Sequence, residues 1–271
     1  MNTALQGAAQ TASKKPSQVY FFATCVIDMF SPQSGLDAVD LIERAGIKVL
    51  FPLKQSCCGQ PAYTTGFSSD ARLVAAAQLD LFPAPWPVVV PSGSCGGMLR
   101  HHWPKLFADD PVRLEKARDI AARTVEFSEF MVNTLGLDLS GASAQPVTVA
   151  VHTSCTARRE MDNHHHVRRL LKQMPGVEVV VQEHESECCG FGGTFSVKHP
   201  EISSAMARDK VDAITATGCD ALISADCGCL LNLNGNLEKR ADILRGEHVA
   251  TFIRNRLDHS SGSPNRLETS K

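Results

Sequence analysis

Two pairs of adjacent cysteines, each followed by glycine, constrain this chain more than any other feature. They are Cys57-Cys58-Gly59 and Cys188-Cys189-Gly190. Each pair has a cysteine upstream and one or two downstream, and the intervals nearly repeat: Cys25 precedes the first pair by 32 positions and Cys155 precedes the second by 33. One pattern of thiols therefore occurs twice in the chain. Thiolates gathered in this way favour iron–sulfur clusters or zinc, so metal binding is the first hypothesis.

The composition argues against several classes of protein. The 27 basic and 29 acidic residues nearly cancel, so neither a nucleic acid nor an anionic membrane surface is a predicted partner. No uninterrupted apolar run approaches the roughly 20 residues of a membrane-spanning helix. The first residues also lack the apolar segment of a secretory signal. We therefore expect a cytoplasmic protein with no transmembrane segment.

The ten cysteines could form five disulfides, but two observations favour free thiols. Nothing in the sequence directs the chain to an oxidising compartment. Neighbouring cysteines also cannot bridge each other without strain, because a disulfide prefers a larger Cα separation than adjacent residues allow. The thiols are therefore interpreted as metal ligands.

Hydrophobic periodicity predicts strands that alternate with helices in the same order in both halves. Such alternation is typical of parallel βαβ units, so the predicted fold class is α/β with two pseudo-symmetric halves and parallel sheets. An added helix is predicted over Pro111–Leu135. Each group of paired or flanking cysteines follows a strand, at the sheet edge where open α/β sheets build their ligand sites. The predicted strands are Val19–Ala23, Ile47–Phe51 and Val88–Val90, then Val147–Val151, Val177–Gln182 and Ala221–Ser224.

The same patterns divide the chain into segments. We expect two cysteine-rich domains, over residues 18–139 and 147–257, joined by the linker SGASAQP. Residues 1–17 and 258–271 are predicted to be a disordered lead-in and tail, because their composition is polar and without periodicity.

Six motifs, which span about Val19 to Leu257, follow one another in order: FFATCVIDMFSP, FPLKQSCCGQPAYTTG, VVVPSGSC, VHTSC, ECCGFGGTFSVKHPEIS and SADCGCLLN. The motifs resemble the cysteine-rich CCG-domain family, which is found in heterodisulfide reductases and in the iron–sulfur subunit of glycolate oxidase. Within that family they are most similar to its lactate-utilization branch.

The resemblance implies up to two [4Fe–4S] clusters per chain. In heterodisulfide reductases the last motif of each half ends in C-x-x-C, whereas here Ser92 and Asp226 stand where its first cysteine would be. This departure favours an ordinary cluster with four thiolates in each half over a five-cysteine cluster. Spacing alone favours Cys227 as the last ligand of the second half, whereas the resemblance favours Cys229. Carried over by position, the ligands are Cys25, Cys57, Cys58 and Cys95 for one cluster, and Cys155, Cys188, Cys189 and Cys229 for the other.

Several other residues are candidates for a second shell around the clusters. His152 lies three residues before Cys155 and is either an outer donor or a core histidine. Backbone N–H groups in the glycine-rich turns could donate to sulfur. The remaining second-shell candidates are Asp226, Gly59, Gly190, Gln55 and Gln60. The run His164–His166 is expected to be a helix face and not a metal site, because neighbouring helical residues point in different directions.

The resemblance also implies a function. It is that of an iron–sulfur electron-transfer subunit, working with other subunits of a complex that oxidises L-lactate to pyruvate. The sequence has no dinucleotide or phosphate-binding fingerprint, so a two-electron oxidation would be shared with a partner. It assigns no catalytic residue. Two alternatives remain: the iron–sulfur subunit of a glycolate or other 2-hydroxy-acid oxidase, and a structural zinc-binding protein.

Overall fold

A computed structural model describes residues 15–260 of the chain. The predicted lead-in and tail lie for the most part outside these residues, and the last helix continues to Ser260. The first half consists of β1 (Gln18–Phe21), α1 (Cys25–Phe30), α2 (Pro32–Arg44), β2 (Lys48–Leu50), α3 (Gln60–Thr64), α4 (Ser68–Ala76), β3 (Val88–Val90), α5 (Gly93–Gly97), α6 (Trp103–Leu106), α7 (Pro111–Arg123), β4 (Thr124–Glu126) and α8 (Phe127–Glu129). Two π-helical segments, Met98–His102 and Phe130–Leu135, continue α5 and α8.

The second half repeats the order of strands. It consists of β5 (Val147–His152), α9 (Cys155–Glu160), α10 (His164–Gln173), β6 (Val177–Val180), α11 (Phe195–Lys198), α12 (Pro200–Thr215), β7 (Ala221–Ser224), α13 (Cys227–Lys239), β8 (Gly246–His248) and α14 (Val249–Ser260).

Each half contains one four-stranded parallel sheet, and the two sheets have the same topology. The strand orders are β2-β1-β3-β4 and β6-β5-β7-β8. Every neighbouring pair is parallel, as where Val19 pairs with Val49 and Val149 pairs with Val179. The predicted α/β class with two pseudo-symmetric halves is therefore confirmed.

The prediction of one continuous helix over Pro111–Leu135 is wrong in the middle of this range. The helix ends at Arg123, and Thr124–Glu126 form the edge strand β4, which pairs with β3. Thr124 and Val125 are β-branched, and pairing with a fully buried strand outweighs the helical pattern on either side. The matching strand β8 is likewise missing from the sequence prediction.

The largest hydrophobic cluster among the described residues spans both halves. It joins Val19 and Phe21 of β1 to Val149 and Val151 of β5, and it includes Phe252 of α14. Helix α14, at the end of the second half, packs on α2 of the first. The halves therefore stabilise each other, which fixes the relative positions of their two cysteine sites.

The helices that follow the strands also cross from one half to the other. Helix α5 packs on α9, and α1 packs on α13. A Cβ atom at Gly93 would lie 2.3 Å from the Cβ of Ala157, so only glycine allows α5 and α9 to approach this closely. This packing turns the two cysteine-bearing edges toward each other. Within residues 15–260, none of the helices is both long and apolar enough to span a bilayer.

Candidate metal centre

The ends of the parallel strands bring the cysteines together. Cys25 begins α1 just after β1, the first cysteine pair follows β2, and Cys95 lies in α5 just after β3. The second half does the same with β5, β6 and β7. Because the strands are parallel, all three loops of each half meet at one edge of the sheet.

The thiols of the first half form a contiguous set of four. The Sγ atoms of Cys58 and Cys95 are 3.3 Å apart. Cys57 accepts hydrogen bonds from the thiols of Cys25 and Cys58, which lower the pKa of Cys57 to about 3. The same contact with Cys57, together with burial, raises the pKa of Cys25 well above its ordinary value. The set can therefore hold a thiolate, the form that binds metal.

The thiols of the second half are linked in the same order. Cys155 contacts Cys188, Cys188 contacts Cys189, and Cys189 contacts Cys229. The hydrogen bond to Cys188, reinforced by burial, raises the pKa of Cys155 well above its ordinary value. Each half thus presents four thiols at one sheet edge.

Cys227 stands apart from both sets of four. Its thiol is buried and faces the hydroxyls of Ser31 and Ser34 in the first half, and burial raises the pKa of Cys227 to about 12. Cys229, two residues later, contacts Cys189. On a helix these two side chains point in different directions, so the geometry favours Cys229 over Cys227 as the fourth thiol of its set.

Both sets of thiols line one cavity of about 190 Å³ between the halves. The eight cysteines of the two sets and Cys227 border it, together with polar side chains that include Gln60, Thr64 and Ser154. No lysine or arginine lies among the described residues that line it. The two sites therefore open toward each other through a single space.

Asp226 holds the two halves together beside this cavity. Its Oδ1 accepts hydrogen bonds from the hydroxyls of Ser92 at 2.6 Å and Ser94 at 2.5 Å. Its Oδ2 accepts from the backbone N–H of Ser94 at 3.2 Å and from the hydroxyl of Ser154. Four donors therefore compensate the burial of the carboxylate, and residues from both halves supply them.

The glycine after each cysteine pair has a backbone conformation that other residues rarely adopt. Gly59 has φ of +88° and Gly190 has φ of +82°. Their N–H groups lie 3.4 Å from the Sγ atoms of Cys57 and Cys188. The turn thus points a backbone donor at the first sulfur of each pair, where it stabilises the thiolate.

Other side chains hold the cysteine loops by their backbone. Gln55, a second-shell candidate, binds the backbone at and just after the end of β1 with both ends of its amide. Its Oε1 accepts from the N–H of Ala23 at 2.9 Å, and its Nε2 donates to the carbonyl of Phe21 at 3.1 Å. Its amide therefore secures the loop to the sheet and is not directed at sulfur. Gln60, in contrast, lines the cavity.

Sequence reasoning missed three residues that position the pairs. The indole N–H of Trp103 donates to the carbonyl of Cys58 at 2.9 Å, and the amide of Asn232 donates to the carbonyl of Cys189 at 2.8 Å. Gln78 accepts from the backbone N–H of Ser56 at 3.0 Å. No spacing pattern marks these residues, because each acts on a loop that is distant in sequence.

His152 is fully buried at the end of β5, beside the second set of thiols. One of its ring nitrogens and the Sγ atoms of Cys189 and Cys229 all lie within 4.8 Å of one another. Burial, assisted by the charges of Lys210 and Arg158, lowers the pKa of His152 to about 3. The imidazole is therefore neutral at physiological pH.

The run of three histidines does not act as one unit. His166 binds Asn163 and Asn133, whereas His164 and His165 lie with Asp162 at the start of α10, with ligand atoms within 4.8 Å of one another. Two neighbouring histidines of the run thus approach each other although they are adjacent on a helix, and His166 does not join them. Asp162 and His165 are largely exposed.

Comparison with known proteins gives the family. A model of the family described as "Cysteine-rich domain" matches residues 19–100 and 149–234. Lactate utilization protein A of Shouchella clausii is 41% identical over 87% of this chain and 98% of its own length. The Bacillus subtilis protein of the same name is 40% identical over 88% of this chain and 100% of its own. The chain belongs to the lactate utilization protein A family.

A solved structure supports the fold of this lactate utilization protein A family member. A protein of Helicobacter pylori, described as hypothetical, superposes with a TM-score of 0.63 at 12% identity, over 93% of this chain. The match covers 50% of that protein's own chain. At this identity the likeness concerns the fold alone.

The donor chemistry of the two sites fits a metal group. In this family member each half offers four thiols, the number that a cubane iron–sulfur cluster or a tetrahedral zinc ion takes. The backbone N–H groups of Gly59 and Gly190 add donors directed at sulfur. The buried imidazole of His152 adds a polar group whose two nitrogens have no partner among residues 15–260.

Proposed function

We propose that this protein is an iron–sulfur electron-transfer subunit of a complex that oxidises L-lactate to pyruvate. One observation carries the proposal: two sets of four thiols face one cavity, in a chain that resembles proteins named for lactate utilization along most of their length. The first set would hold one [4Fe–4S] cluster and the second set another. Such clusters supply one-electron transfer.

The residues around the cavity support a role in holding clusters more than in binding lactate. A carboxylate substrate is usually recognised by a cationic side chain, most often arginine. The described lining of the cavity contains Asp226 and neutral polar groups but no such cation. We therefore assign the 2-hydroxy acid to another subunit of the complex, which passes its two electrons to this chain one at a time.

The first test is the identity of the metal. After anaerobic reconstitution we expect up to about eight irons per chain with matching acid-labile sulfide, as two four-iron clusters require. Elemental analysis distinguishes this from zinc, which the same thiols could bind tetrahedrally. Zinc without sulfide would refute the electron-transfer role and support a structural one.

The second test concerns the substrate. Deleting the gene should abolish growth on L-lactate as sole carbon source, and a plasmid copy should restore it. The control is a plasmid copy with Cys58→Ser and Cys189→Ser, which should fail to restore growth if the thiol sites are required. Normal growth of the deletion strain on L-lactate would remove the substrate assignment and leave the metal sites. Loss of growth on glycolate alone would favour a glycolate oxidase subunit.

A further inference from the structure

The second cysteine site differs from the first in one buried aromatic residue. Phe22 and His152 occupy matching positions, each three residues before the first cysteine of its half. Phe22 is buried among apolar rings, 6.2 Å from Phe82 and 6.3 Å from Trp103 between centroids. His152 is buried beside Cys189 and Cys229. The second half therefore places an imidazole where the first half places a phenyl ring.

The imidazole of His152 has an unused donor. Neither ring nitrogen has a hydrogen-bond partner among the described residues, although the side chain is 1% exposed. A neutral imidazole carries one N–H, and buried polar groups in folded proteins are almost always paired. The sulfurs of Cys189 and Cys229, within 4.8 Å, are the acceptors that the site offers.

A second difference between the halves lies on α12 and on the turn that follows α4. Gly59 packs against the carbonyl of Ala71, and Gly190 against that of Ser203, so these two helix positions correspond. Seven residues further on, the first half has Gln78 and the second has Lys210. Lys210 is buried, donates to the carbonyl of His184, and interacts electrostatically with Cys189.

Both differences would stabilise the electron that a cluster at the second site gains on reduction. An N–H directed at sulfur and a nearby ammonium each stabilise the reduced form of a cluster over the oxidised form. The first site has a phenyl ring and a neutral amide in the corresponding places.

We propose that His152 donates a hydrogen bond to sulfur at the second site and makes that site the more easily reduced of the two. The proposal rests on the iron–sulfur assignment above. Each site would accept one electron, supplied in the test by dithionite. In this role His152 does not ligate iron, and its N–H stabilises the charge of the reduced cluster through the sulfur.

The test is a redox titration of reconstituted protein followed by electron paramagnetic resonance. The wild type should show two reduction steps, which Cys25→Ser assigns by removing a thiol from the first site. His152→Phe gives the second site the residue that the first half has in this place. It should raise the oxidised-to-reduced ratio of the second site about tenfold at a fixed potential, which is a fall of about 59 mV in the reduction potential of a one-electron step. His152→Gln retains an N–H donor and should shift it less. His165→Phe, on the exposed surface, should shift neither site.

A measurement on the wild type does not depend on variants. Pulsed resonance on protein labelled with ¹⁵N-histidine should show weak nitrogen coupling to the reduced second site. A strong coupling would indicate direct ligation and overturn the donor role, as would no coupling. The proposal would also be overturned if the two sites had equal reduction potentials and His152→Phe left them unchanged. Both results presuppose bound iron, whereas a protein that binds no iron refutes the proposed function itself.

Discussion

Replacing Gly190 with alanine tests whether the conformation of the cysteine turn is needed for stability. Gly190 has φ of +82°, a region that costs an L-residue about 1–2 kcal/mol. A Cβ there would also lie 2.5 Å from the carbonyl oxygen of Ser203 and 3.1 Å from the Cβ of Met206. The helix α12 must then move, and overpacking of this kind costs a further 1–3 kcal/mol, roughly. We expect Gly190→Ala to lower the free energy of unfolding by about 2–5 kcal/mol.

Two other glycines supply matched controls. Gly218 has φ of +67° but open space around its Cα, so Gly218→Ala should cost only the backbone strain, about 1–2 kcal/mol. Gly59→Ala should fall between, because its nearest atom is the carbonyl oxygen of Ala71 at 3.1 Å. Urea denaturation of the three metal-free variants measures the series. A cost at Gly190 no larger than that at Gly218 would refute the close approach of α12 to the cysteine turn.

Three further predictions concern the site and the groups around it. Cys229→Ser should remove about half of the bound iron, because it takes one thiol from a set of four, whereas Cys227→Ser should retain the iron; the reverse result would make Cys227 the ligand. Burial, with a smaller effect of the Asp226 charge, raises the pKa of Glu126 to about 8. Between about pH 4.5 and pH 8 this carboxyl is protonated in the folded state and ionised in the unfolded state, so unfolding releases a proton. The free energy of unfolding therefore falls by about 1.4 kcal/mol per pH unit as the pH rises. Glu126→Gln should reduce this slope, as measured by urea denaturation at several pH values. An unchanged slope would mean that Glu126 ionises normally. Asp226→Asn leaves the Ser154 hydroxyl without its carboxylate acceptor and should cost about 1–3 kcal/mol of unfolding free energy; a loss no larger than that of Ser154→Ala would show that the charge is unimportant.

The fold class was predictable because hydrophobic strands and helices alternate in both halves. The same pattern placed the cysteines at strand ends, where parallel topology brings distant residues to one edge. The edge strands β4 and β8 were not predictable, since Thr124–Glu126 and Gly246–His248 lack the apolar run that marks the equally short strand Val88–Val90. Strand pairing with a neighbour, not local sequence, determines them.

The choice between Cys227 and Cys229 needed the structure for a different reason. Spacing along the chain counts residues, but ligation depends on which face of α13 turns toward Cys189. Likewise, Gln55 lies close to the cysteine pair in sequence, yet the backbone at the end of β1 engages its amide. A side chain near a site in sequence is directed at it only if no closer backbone group takes its hydrogen bonds.

The duplication itself explains why the two sites cannot be identical. Ser92 and Asp226 occupy matching positions, one residue before α5 and α13, and the packing of the halves brings them into contact at 2.6 Å. Two aspartates there would set like charges against each other in a buried space, which is strongly unfavourable. Two serines would provide no charged acceptor for the Ser154 hydroxyl. An aspartate that faces a serine avoids the repulsion and still gives the Ser154 hydroxyl a charged acceptor, so this contact requires the two halves to differ. The asymmetry of the two sites thus begins where the two halves touch.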